Sequence, residues 1–377
     1  MSRGALPLAA IFAAAWLSGG ARAAPPPVVH FPNDEQFTTA ARPFSITRYH
    51  PMLDAIVSPD AKLELVAEGF GLNKGLIWVP DAAGGHLLVG DLAGNVIYRI
   101  AADRTVSVFL DHAGYTGPDI NNAGFQTRRG RVAVLLIGPN GEYLDPQGRL
   151  VWCASPDGTV IRLEADGTRT VLADKYQGRR FNGPNDLVVR SDGAVYFTDS
   201  DFGLRGGRAS PLKQLSFDGV YLIKDGKVRL LVDDKRLGGF SDGIAMSPDE
   251  KYLYLNASFK RMMRFEIRPD GSLGEGVVFF EGGPPGGFGN GMKTDLKGDL
   301  YSTNGAGPGV VRITAPDGKL LGTLNLPVYA TEPRRQICAT NVAFGDSDGR
   351  SLYINACEAV YRVRLETPGV VPGRPAS

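Results

Sequence analysis

The chain has 377 residues, 43% hydrophobic and 21% charged, a composition that excludes disorder over most of its length. Lys+Arg 41 against Asp+Glu 40 leaves no basic surplus for phosphate contacts, so no nucleic-acid partner is expected. Three cysteines and four histidines, with no HExxH, exclude a four-thiolate site, a disulfide scaffold and a histidine-rich metal centre.

Residues 1–23 read as a signal peptide. Arg3 gives a positive start, Ala5 to Leu17 is an apolar run too short to span a bilayer, and Ala21-Arg22-Ala23 is an A-x-A cleavage site. The mature chain then starts near Ala24, and an exported protein is expected, most simply in a bacterial periplasm. No later apolar run reaches spanning length, so no membrane span is expected. Residues 24–60 hold seven prolines and read as an arm lying on the domain that follows.

From Leu63 to Leu365 one phrase recurs: a polar residue, Gly or Asp, an apolar strand, an Asp/Gly turn and further strands. It opens at Lys74, Asn140, Asn185, Asp242, Asn290 and Asn341, six units of about 50 residues, the signature of a six-bladed β-propeller. The fold class expected is all-β, with four-stranded blades around a central channel over residues 61–367 and a tail at 368–377. Leu63–Ala67 has no hairpin partner nearby and is expected to close the ring on the last blade.

The polar residue of each unit heads the innermost strand, so the six ring one mouth of the channel. Asn and Asp also cap turns well, which alone could place some of them there. A ring of hard oxygens otherwise suits a Ca²⁺-type cation, a carbonyl or a polyol. The residues two further on read Leu76, Glu142, Leu187, Ile244, Met292 and Ala343, with Glu142 the charged exception. Glu142 is expected to pair with Lys74 or to supply the negative charge lost at position 74, with a solvated blade edge as the alternative.

Segments 111–130 and 201–215 are long and Gly-containing, and read as lids or as plain connections. Arg179 and Arg180 fit a solvated surface or an anion contact. Ser-His-Asp catalysis has no G-x-S-x-G elbow, and His112 alone lies plausibly near the mouth. If Val342–Phe344 pairs with Leu352–Ile354, Cys338 and Cys357 oppose each other within a residue, so a disulfide is expected, with two buried thiols as the alternative.

The stretches Asn182-Gly-Pro-Asn-Asp-Leu-Val-Val, Asp145-Pro-Gln-Gly-Arg-Leu, Asp242-Gly-Ile-Ala-Met-Ser and Asn290-Gly-Met-Lys resemble the senescence-marker-protein/gluconolactonase, or regucalcin-like, family of six-bladed propellers. The resemblance runs from about Leu63 to Leu365. It implies a lactonase or esterase holding one divalent cation on the channel axis. Carried over, the third-unit Asn ligand is Asn185, the fourth-unit Asn is Asp242, the fifth-unit Asp is Asn290, and the first-unit Glu is Lys74. Asn185 and Asp242 thus remain as metal ligands, while an ammonium at the Glu position weakens affinity for a cation such as Ca²⁺.

The reading that follows is an exported hydrolase opening a lactone or related ester at the channel mouth. Asp242 would act as general base and Lys74 would stabilise oxyanion charge. Asn140, Asn185, Asn290 and Glu142 would hold a small-molecule substrate. A lyase, isomerase or condensing enzyme like the strictosidine-synthase propellers, or a non-catalytic binding propeller, are the alternatives.

Overall fold

Short apolar segments punctuated by Asp-Gly turns dictate antiparallel strands. Asp192 Oδ1 accepts from the Ala194 amide at 3.1 Å and Gly193 takes φ 84°, closing the turn into the strand Val195–Asp199. A computed structural model describes residues 42–120, 123–128, 131–258, 261–282, 289–305, 308–328 and 338–373. The leader and the first part of the arm, residues 1–41, lie outside the described residues, as do Asn121, Asn122 and the last four residues.

The described residues form six antiparallel blades, a six-bladed β-propeller. Their innermost strands are Asn73–Val79, Glu142–Leu144, Pro184–Val189, Ile244–Met246, Met292–Thr294 and Asn341–Gly345. Leu63–Glu68 pairs with Ala359–Arg364 and completes the sixth blade, so the ring closes as expected. The arm contributes Ser45–Arg48, which pairs with the outer strand Leu320–Asn325 and makes the fifth blade five-stranded. Leu53, in the turn after it, is buried in the same core.

Both faces of each blade pack on neighbours. Trp78 of the first blade stacks on Tyr353 of the sixth at 5.6 Å, and Trp152, Tyr196, Tyr221 and Tyr301 are fully buried. Each side chain of that size contributes roughly 1.5–3 kcal/mol when removed from water. In the final hairpin Val342 faces Ile354, and Cys338 and Cys357 are joined in a disulfide with a Cα separation of 5.4 Å.

The C-terminal segment lies against the lower ends of the innermost strands. Val370 donates to the Thr294 carbonyl, Gly369 bridges Asp295 and packs on the Phe344 ring, and Gly373 lies beside Leu144 and Pro80. The fifth, sixth, first and second blades are thus spanned at the end opposite the polar ring. Among the described residues no helix is long and apolar enough to cross a membrane.

Candidate active site

At the second and fourth blades, the residue after the ring position comes within main-chain hydrogen-bond distance of the next blade. Gly141 donates to the Asn185 carbonyl at 2.7 Å, and Gly243 donates to the Gly289 carbonyl at 2.9 Å. A Cβ at Gly243 would lie 2.3 Å from the Asn290 carbonyl oxygen, so glycine after the polar residue is a steric requirement here. Thr198 fixes the Asp242 main chain through a 2.6 Å hydrogen bond from its hydroxyl to the Asp242 carbonyl.

At the mouth Lys74 Nζ donates to Asp242 Oδ1 at 3.0 Å and to Asn290 Oδ1 at 2.5 Å, and Asn290 Nδ2 donates to Asp242 Oδ2 at 3.0 Å. The three side chains close a cycle between the first, fourth and fifth blades. Lys74 and Asp242 are 8% and 6% exposed along their side chains, a pair shielded from water yet at the head of the channel. Burial pushes the Asp242 carboxyl up, while the Lys74 ammonium and the Asn290 amide draw it back.

Two more ring amides are oriented from behind. Asn140 Nδ2 donates to Ser155 Oγ at 3.2 Å, and Asn185 Nδ2 donates to Ser200 Oγ at 3.4 Å. The Ser155 hydroxyl spends its proton on the Pro184 carbonyl, so towards Asn140 it can only accept. That fixes the Asn140 amide with its oxygen turned away from Ser155. Asn140 Oδ1 and Asn185 Oδ1 have no partner among the described residues. Asn341 is different: its Nδ2 donates to the Lys74 carbonyl and its Oδ1 accepts from Val342, so it ties the sixth blade to the first.

Two of the expectations for Glu142 are corrected. It does not pair with Lys74, and it is not at a solvated blade edge; it is 1% exposed, with both carboxylate oxygens unpartnered among the described residues. The reason is steric room: Gly75 and Gly90 of the first blade leave a hollow that the carboxylate fills. Burial pushes its carboxyl up to about 8, against the pull of the Lys293 charge. Lys293 and Asp186 were not singled out in the sequence. Both are buried, and Lys293 feels Asp186 and Glu142 electrostatically, with burial drawing its ammonium down. Burial pushes Asp186 up. A charge interrupting the innermost segments Asn-Asp-Leu-Val-Val and Gly-Met-Lys-Thr was the available signal.

The remaining candidates make other contacts. Arg180 donates to the carbonyls of Pro156, Phe181 and Asn182 and so buttresses the third blade. His112 is an exposed side chain beside Asp111. Segment 201–215 is pinned by Lys213, which bonds Asp201 and Asp218.

An acid, an ammonium and four amides gathered at one mouth of a propeller make a polar candidate site for a small molecule. Residues 72–358 match the SMP-30/Gluconolactonase/LRE-like region, and the chain belongs to that family. A gluconolactonase of Zymomonas mobilis is 32% identical over 97% of this chain and 95% of its own length. A solved gluconolactonase structure from Xanthomonas campestris is 28% identical, with a TM-score of 0.67 over 87% of this chain and 99% of that one. The fold is also that of a calcium-binding regucalcin from Agrobacterium tumefaciens, 18% identical with a TM-score of 0.60 over 83% of this chain and 96% of that one.

Proposed function

We propose that the chain opens a polyhydroxylated lactone at the Lys74–Asp242–Asn290 mouth. Family membership and the 32% identity to a gluconolactonase support a lactonase-type hydrolase. The observation that carries the substrate class is the pair of buried, unpartnered amide oxygens on Asn140 and Asn185. An amide oxygen accepts only, so each calls for a donor such as a substrate hydroxyl.

Lys74 has three donors and spends two on Asp242 and Asn290, leaving one for the lactone carbonyl oxygen. That N–H stabilises the oxyanion formed when water adds to the carbonyl carbon. Each Asp242 oxygen has a lone pair left to take the water proton. The ring C–O bond then breaks, and the proton passes from Asp242 to the departing alkoxide. Acid and alcohol are left in one open-chain product.

We further propose export to an oxidising compartment after cleavage near Ala23. The Cys338–Cys357 disulfide supports this reading. The deciding experiment compares kcat/KM for a hydroxylated six-membered lactone, its unhydroxylated ring analogue and an aryl ester. The reading expects the hydroxylated lactone to lead by at least about tenfold, roughly one hydrogen bond's worth. Equal rates on the bare ring would remove the roles of Asn140 and Asn185.

A further inference from the structure

The oxygens at the channel mouth are hard donors of the kind that collect a divalent cation, so whether the ring fits one can be read from its contacts. Asp242 Oδ1 and Asn290 Oδ1 both already bind Lys74 Nζ. The ring side chains carry one negative and one positive charge, leaving no net charge for a doubly charged ion. A Ca²⁺ wants six to eight oxygens at about 2.3–2.6 Å, which would put it within a few ångströms of the ammonium. Among the described residues no three His, Cys, Asp or Glu side chains are grouped to hold a metal. Below the ring Lys293 is itself buried, and it feels the charges of Asp186 and Glu142.

We infer that Lys74 is the cation of this site: its ammonium sits on the oxygens a divalent ion would use, and the mouth works without a bound metal. A tethered ammonium supplies one fixed positive charge and directional donors. It cannot be stripped by a chelator or diluted away. It also gives up what a divalent ion offers, a second charge and open coordination positions, so only the one remaining N–H meets the substrate. The inference rests on the ring geometry and holds whatever the substrate, so metal titration and lactone turnover fail separately.

The test is calorimetric titration of the full-length protein with Ca²⁺ and, separately, Mg²⁺, together with elemental analysis of the purified protein. Wild type, Lys74→Glu, Lys74→Met and Glu142→Gln are compared. The expected result is no stoichiometric metal in wild type, and no binding at millimolar Ca²⁺. Lys74→Glu is expected to bind Ca²⁺ at least about tenfold tighter than wild type, because two charge units change at ligand distance. Should Lys74→Glu fail to fold, Lys74→Met serves, with a smaller gain from removing the repulsion alone. Stoichiometric metal in wild type would overturn the inference. So would wild-type binding lost in Glu142→Gln, which assigns a cation to the lower layer, or Lys74 variants that bind no better than wild type.

Discussion

Glu142 of the second blade occupies the space that a side chain on Gly75 of the first would need: a Cβ there would stand 2.4 Å from the Glu142 carboxyl carbon. Gly75→Ala should therefore destabilise by about 1–3 kcal/mol through overpacking. Chemical denaturation shows it as a lower midpoint at unchanged slope. Glu142→Ala should restore only part of the loss, because the Asn140 carbonyl oxygen still lies 2.6 Å from the added Cβ.

The same carboxyl sets a pH dependence of stability. Folded Glu142 keeps its proton up to about pH 8, whereas an unfolded glutamate releases it near about 4.3. The folded state therefore binds the extra proton between those values, and stability falls as pH rises through that window. Melting temperatures measured from pH 5 to 9 should decline for wild type and decline less for Glu142→Gln. The difference should be of the order of a few kcal/mol at the alkaline end. Parallel curves would show that folding leaves proton binding by Glu142 unchanged.

Asp242→Asn should lower kcat by about 10²–10⁴-fold as a base is lost. It also strands the Lys74 ammonium in a buried setting, so a stability loss of about 3–5 kcal/mol should accompany it. Adding Lys74→Met should recover much of the stability and none of the activity. Recovery of turnover in the double variant would remove both residues from the chemistry.

Ser155→Ala leaves the Asn140 amide free to turn. KM for a hydroxylated lactone should rise several-fold, about one hydrogen bond's worth, with kcat changed less. An unhydroxylated lactone should be indifferent to the change.

Much of the architecture was legible because a repeat of about 50 residues with tight Asp-Gly turns leaves few alternatives to stacked blades. The closure by Leu63–Glu68 followed from a strand lacking a local partner, and the Cys338–Cys357 bond from the register of the last hairpin. The partner of Lys74 was not legible. A ring read in chain order suggests contacts between neighbouring blades, which led to Glu142. A four-carbon stem instead carries the ammonium inward, where the fourth and fifth blades are within reach. Asp186 and Lys293 were missed for a related reason. They stand on strand positions that face a neighbouring blade on paper, and only the closed ring brings their charges together.

The disulfide should be a measurable staple. Cys153 is buried and reduced, so denatured, unreduced protein should titrate one thiol out of three cysteines. Cys338→Ser with Cys357→Ser should cost about 3 kcal/mol, seen as a lower melting temperature that reducing agent no longer changes.

The C-terminal segment lies under the innermost strands of four blades and covers that part of the propeller end opposite the polar ring. On the proposed reading, lactone and opened acid share the polar mouth. The acid would carry a charge that the lactone lacks, formed beside the Lys74 ammonium. Slow release of the carboxylate is then expected, with product competing against substrate at the mouth.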